Sequence, residues 1–185
     1  MQELARKLIH LIFGMGIAGM VIVLDHTTAT AVLAGGLFIG IILIDLILRG
    51  HRLPVFSALV DYVDRCDALP GKGAFFYAVS ALACVILFPV PVVVPALVSL
   101  AVLDGVAAIA GARFGRTRIY NGKSGEGTGA GIVVTFLVLL RFMPVTGALV
   151  VAVLAGIIEL FSPVDDNLAI PVSICILLTA VPVLI

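Results

Sequence analysis

The chain has 185 residues, 62% of them hydrophobic and 12% charged, with no tryptophan. Its formal net charge is zero, so no global basic field is available to hold nucleic acid. Long apolar runs separated by short polar loops exclude a single soluble core and describe an all-α, polytopic integral membrane helix bundle.

A helix needs roughly 20 apolar residues to cross the hydrocarbon, and fewer where the bilayer thins. In chain order the runs predict about seven transmembrane helices, at about 8–24, 29–48, 73–90, 94–112, 128–142, 145–161 and 168–185. The first run has the look of a signal-peptide core behind Arg6 and Lys7. No small-residue cleavage site closes it, however, and Asp25-His26 ends it as a loop does, so it is read as a permanent helix. Residues 49–72 form a polar connection after the second helix. Within it Val55, Phe56, Leu59, Val60 and Val63 recur at helical spacing opposite Asp61, Asp64 and Arg65. That pattern suits an amphipathic helix in the interface, and equally a solvated connector. Pro89, Pro91 and Pro95 separate the third helix from the fourth, while Met143-Pro144 and Ser162-Pro163 mark later boundaries. Cys66, Cys84 and Cys175 are scattered, with no CxxC pair, so neither a disulfide framework nor a zinc site is expected.

With the N-terminus cytoplasmic, every lysine and arginine except Arg141 falls on the cytoplasmic side. Positively charged loops resist translocation, so this partition sets the orientation in the cell membrane. The acidic residues other than Asp25 gather at or near the same face, which the positive-inside rule does not require. Polar chemistry is therefore expected at the cytoplasmic face of one transmembrane domain, residues 1–185.

The loop at 113–128 is the strongest candidate for that chemistry. Gly122, Gly125, Gly127, Gly129 and Gly131 surround Lys123, Ser124, Glu126 and Thr128 between apolar runs. Glycines let backbone amides approach phosphate oxygens, and lysine supplies a compact positive charge. Gly-Lys-Ser matches a Walker loop only in part, because position 117 is threonine and no strand precedes. The nucleotide-contacting set is Gly122, Lys123, Ser124, Gly125, Glu126, Gly127 and Thr128, with Glu126 for a divalent cation and Thr128 as N-cap of the fifth helix. A flexible linker is the plainer reading, and Lys-Ser-Gly-Glu embedded in glycines argues against it.

Asp104 lies within the fourth helix, where an ionisable group faces a cavity, a partner or a metal. Arg113, nine residues on and roughly 13 Å along the axis, is a poor partner. Ala108, Gly111 and Gly115 continue a stripe of small residues below it, which close helix packing explains. Glu159, Asp165, Asp166 and Asn167 cluster after the sixth helix and suit magnesium, although loop solvation with Asp166 or Asn167 as helix cap explains them alone. Arg6, Lys7 and His10 open the first helix, where headgroup anchoring is the default. Gly36-x-x-x-Gly40 offers a face on which a homodimer can form.

Together these segments resemble the CTP-dependent lipid-alcohol kinases, the polyprenol kinase family that includes dolichol and phytol kinases. The likeness is carried by Arg6-Lys7-x-x-His10 and Gly71-Lys72-Gly73-Ala74. It continues through Asp104-x-x-Ala-x-x-x-Gly-x-x-x-Gly, with Ala107 or Ala108 as the alanine, to Lys123-Ser124-x-Glu126-Gly127-Thr128. It ends on Glu159 and Asp166-Asn167-Leu168. The resemblance implies CTP as donor, a magnesium-type ion, and a polyprenol, a phytol- or geranylgeraniol-like alcohol, or diacylglycerol as acceptor. The expected roles place the phosphates on Lys123, Ser124 and the loop, with Arg6 and Lys7 nearby. Asp104, Glu126, Glu159, Asp166 and Asn167 are the metal candidates. Asp104 is the first choice to orient or deprotonate the hydroxyl, and His10 the second. A CTP:lipid-phosphate cytidylyltransferase needs the same parts. A small transporter, with Asp104 and Glu159 as ion sites, is the rival of another class; the one-sided charges count against it.

Overall fold

The computed structural model describes residues 2–51, 71–119 and 122–185, with side chains from residue 7 onward. These residues form helices α1 (Gln2–Val23), α2 (His26–Leu48), α3 (Lys72–Leu87), α4 (Val90–Phe114), α5 (Gly125–Leu139), α6 (Val145–Phe161) and α7 (Asp166–Ala180), then a 3-10 turn at Pro182–Leu184. No strand occurs among the described residues; Arg118 and Ser124 make one isolated antiparallel bridge. Each helix coincides with an expected apolar run. The amphipathic stretch expected within 49–72, with Cys66, lies outside the described residues from 52 to 70.

Two of these helices, α2 and α4, are long and apolar enough to cross a membrane. Helices α3, α5, α6 and α7 have 15 to 17 residues. At 1.5 Å per residue they reach about 22–26 Å, short of a hydrocarbon core of roughly 30 Å. The described residues are thus all-helical, with two helices of membrane-crossing length and apolarity, and length alone does not make every helix a crossing.

Helix α4 is the axis of the bundle. It packs against α1, α3, α5, α6 and α7, and 83% of its most apolar window is buried, against 6% for the peripheral α2. Leu97, Leu100 and Leu103 are fully enclosed and join Val85, Val151, Ile170, Ile174 and Leu178 in one core. Pro91 falls in the first turn, where no helical hydrogen bond is lost. Pro95, expected in the break between helices, instead lies inside α4; the carbonyl of Pro95 accepts the Ser99 hydroxyl at 2.6 Å.

The α4–α5 pair is the tightest contact, and glycine makes it so. A Cβ on Gly127 would stand 2.5 Å from the Ala107 carbonyl oxygen, and one on Gly111 2.8 Å from Ser124 Oγ. The small residues below Asp104 are therefore a packing seam, as their spacing suggests.

Candidate active site

Asp104 lies ten residues before the end of α4, about 15 Å along the helix axis, and is only 5% exposed. An isolated carboxylate there would be strongly disfavoured, and α1 supplies its countercharge. Lys7 Nζ lies 2.5 Å from Asp104 Oδ1, and His10 Nε2 lies 3.9 Å from Oδ2. Lys7, His10 and Gly14 repeat at helical spacing on the face of α1 that meets α4. Gly14 permits the approach, since a Cβ there would sit 2.7 Å from that of Ala101. The Tyr77 ring of α3 meets His10 edge to face at 5.3 Å, and its hydroxyl donates to the Gly14 carbonyl. Asp104 thus pairs with α1, and the alternative partner Arg113 is exposed at the helix end.

The second cluster forms around Lys123. The loop between α4 and α5 is a hairpin closed by Ile119 N–H to the Lys123 carbonyl and Gly125 N–H to the Thr117 carbonyl. Gly122 adopts φ +75°, and the Arg118 guanidinium donates to its carbonyl. This turn directs Lys123 at α6 and α7. Its Nζ donates to Asp166 Oδ2 at 2.6 Å and to the Glu159 carbonyl at 2.7 Å, with Glu159 Oε1 at 3.3 Å. Burial disfavours the Lys123 charge, but Asp166 and then Glu159 outweigh it and hold the ammonium above its ordinary titration range. Glu159 is buried in α6, and its Oε2 accepts the Thr128 hydroxyl at 2.6 Å.

The start of α7 is clamped. Asp165 caps the helix, with Oδ1 accepting both the backbone and the side-chain N–H of Asn167. From α3, Ser80 Oγ donates to the Asn167 carbonyl at 2.8 Å. The two clusters are neighbours: Asp104 feels the Lys123 charge, and His10 feels that of Asp166. The structure therefore gathers Lys7, His10, Asp104, Lys123, Thr128, Glu159, Asp166 and Asn167 from five helices and one loop.

The chain is 34% identical over 176 residues to an uncharacterized protein, MJ1137, of Methanocaldococcus jannaschii, covering 92% of this chain and 90% of that one. It belongs to the family of MJ1137. No family model matches the chain, and no solved structure does.

Several expectations need revision. Thr128 is not the N-cap of α5; Ser124 is, accepting from Gly127 N–H at 3.2 Å. The helix starts earlier because the glycines pack against α4, which overrides their low helix propensity. The cap on α7 is Asp165, neither Asp166 nor Asn167. The loop amides of Gly125, Gly127 and Thr128 are engaged within the hairpin and the first turn of α5, so they do not point at a ligand. Glu126 stands apart from the other carboxylates. It is exposed and accepts from the Arg116 and Thr117 amides, bordering a cleft of about 430 Å³ with Arg113, Phe114, Gly115 and Arg116. Among the described residues no three histidine, cysteine or carboxylate side chains converge into a preformed metal cage. The side chain of Arg6 lies outside the description.

A second cleft adjoins Lys123. About 160 Å³ in volume, it is lined by Lys123, Glu159, Ser162, Val164, Asp165 and Asp166. Magnesium commonly takes one or two carboxylates and completes its shell with phosphate oxygens and water. Asp166 and Asp165 are the residues that would hold it. Two roles were not foreseen: Asp165 as the clamp on Asn167, and Ser80 as its second anchor. The Asp165-x-Asn167 spacing of an Asx-type cap was the available signal.

Proposed function

We propose that this chain is a CTP-dependent lipid-alcohol kinase. In this reading its seven helices cross the cell membrane, the N-terminus is cytoplasmic, and the γ-phosphate passes to a membrane alcohol at the cytoplasmic face. The supporting observation is the meeting of Lys123 with Asp166 and Glu159 beside the Lys7–Asp104–His10 cluster. A lysine held between carboxylates can exchange one of them for a phosphate oxygen, releasing that carboxylate for a cation. When bound, magnesium neutralises charge on the donor's phosphates.

The chain's own residues supply position and charge. Lys123 holds the donor phosphates. Asp104 Oδ2 takes the proton of the acceptor hydroxyl. The hydroxyl oxygen bonds to the γ-phosphorus, the bond from that phosphorus to the β,γ-bridging oxygen breaks, and CDP leaves. Lys7 and His10 hold Asp104 and balance its charge. Positioning and electrostatics carry most of the acceleration for such a transfer.

Purified protein is incubated with magnesium, prenyl alcohols and diacylglycerol, and CTP labelled at either the γ- or the α-phosphate. Transfer of γ-label to a lipid is the expected result. Incorporation of α-label with pyrophosphate release means a cytidylyltransferase instead, and neither label in any lipid, with folded protein, rejects both.

A further inference from the structure

Lys7, Arg49, Lys72 and Lys123 each meet a carboxylate, and the Arg118 guanidinium is committed to the Gly122 carbonyl. Arg113 and Arg116 differ: neither forms an ion pair among the described residues. Both line the cleft of about 430 Å³ with Phe114, Gly115 and Glu126. Glu126 does not pair with either guanidinium. Its Oε1 accepts from the Thr117 amide at 3.1 Å and its Oε2 from the Arg116 amide at 3.2 Å.

We propose that this cleft seats the phosphate of an anionic membrane lipid. Two unpaired guanidiniums call for an anion, and their planar N–H forks match the oxygens of a phosphate. The backbone between them is fixed in place. A Cβ on Gly115 would stand 2.3 Å from the Gly111 carbonyl oxygen and 2.7 Å from Ser124 Oγ, so the chain leaves α4 pressed against the start of α5. The Arg113 guanidinium lies over the Phe114 ring, 5.9 Å from its centroid, an arrangement that holds a cation by its face. The volume falls within the range of small-ligand sites, roughly 300–1,000 Å³.

Depth selects the source of the phosphate; this step rests on the membrane crossing proposed above and not on the kinase chemistry. Helix α4 has 25 residues, about 38 Å at 1.5 Å per residue, against a hydrocarbon core of roughly 30 Å. When α4 crosses, its last turn therefore falls at the headgroups, where lipid phosphates lie. Phe114 is 64% exposed and Ile119 48%. Apolar side chains at that depth reach the acyl boundary beside the charge, as interfacial anchors do. A soluble phosphate has no use for them. The lipid so held ties to the membrane surface the hairpin that carries Lys123.

In the test, protein in a neutral detergent is titrated with dioleoylphosphatidylglycerol or dioleoylphosphatidylcholine, and separately with inorganic phosphate and CTP, while thermal stability is followed. Phosphatidylglycerol is expected to half-saturate at a mole fraction about tenfold lower than phosphatidylcholine, the order that two interfacial arginines supply. Arg113→Gln combined with Arg116→Gln should reduce that preference to about twofold or less, and each single change should reduce it about threefold. Arg141→Gln, which removes an exposed charge beyond the far end of α5, should leave it intact. The single changes decide the matter if the combined variant does not fold. A preference absent from wild type, unmoved by the changes at 113 and 116, or lost equally with Arg141→Gln overturns the site. Stabilisation by phosphate or CTP that vanishes in the combined variant, with no lipid preference, assigns the cleft to a soluble phosphate and overturns it too. Phosphate transfer, measured separately, bears on the kinase reading alone.

Discussion

Lys7 and Asp104 stand 97 positions apart in sequence and 2.5 Å apart in space. The pair joins the first turns of α1 to the middle of α4, and it puts a charged centre inside a bundle whose walls are leucine, valine and alanine. Removing one partner strands the other. Lys7→Ala is expected to lower stability by about 3 kcal/mol, the lower end of the range for breaking a buried pair, because Lys7 is about a fifth exposed. Adding Asp104→Asn should recover at least ~1 kcal/mol relative to the sum of the single changes. Unfolding in detergent across the four-variant cycle measures this; additivity would show that the pair carries no coupling.

Lys123 and Glu126 sit three residues apart and should behave differently. Lys123→Ala is expected to abolish nucleotide-dependent stabilisation and to lower transfer by about 100-fold or more, the order seen when one charge-stabilising donor is removed. Glu126→Gln weakens an exposed hairpin contact and should lower stability only slightly, without shifting the magnesium requirement. Asp166→Asn should raise the magnesium concentration needed for half-maximal transfer. The reverse pattern would place the cation at Glu126.

Gly127→Ala forces a methyl group against the Ala107 carbonyl oxygen and is expected to be destabilising by about 1–3 kcal/mol. Gly129 has open space around its would-be Cβ, so Gly129→Ala should gain up to about 1 kcal/mol of helix propensity. Melting temperatures of the two variants should move in opposite directions.

The Lys123 ion pairs also set a pH window. Its folded-state titration lies above the ordinary 10.5, so its stabilisation is fully present below that value and is lost as pH rises through the higher folded value. The stability difference between wild type and Lys123→Met should stay constant from pH 7 to about 9 and shrink above about 10.5. A difference that vanished near neutrality would place the proton loss on another group.

Orientation is open to direct labelling. With a cytoplasmic N-terminus, an impermeant thiol reagent applied to intact cells should modify Thr27→Cys in the exposed first turn of α2 and spare Arg116→Cys until the membrane is opened. The opposite pattern would put the Lys123 hairpin outside the cell.

Much of the architecture was legible in the sequence because helix formation in an apolar chain is local. Pro144 and Ser162 bound α6 where the residues alone place its ends, since proline disfavours continuation wherever it falls. Ser124 was harder to recognise as a cap. Gly125 and Gly127 after it read as loop, and the close approach of Gly127 to Ala107 and Gly111 is what seats this turn as helix against α4.

The sequence by itself determined which residue types could do chemistry: a carboxylate within an apolar helix, a lysine in a glycine-rich turn, an acidic cluster before the last helix. It could not determine their partners. That Lys7 rather than Arg113 meets Asp104, that Lys123 crosses to Asp166, and that Glu126 turns away to its own hairpin are outcomes of helix packing. Charge pairing in a buried site is decided by which faces the bundle brings together, and those contacts link residues far apart along the chain.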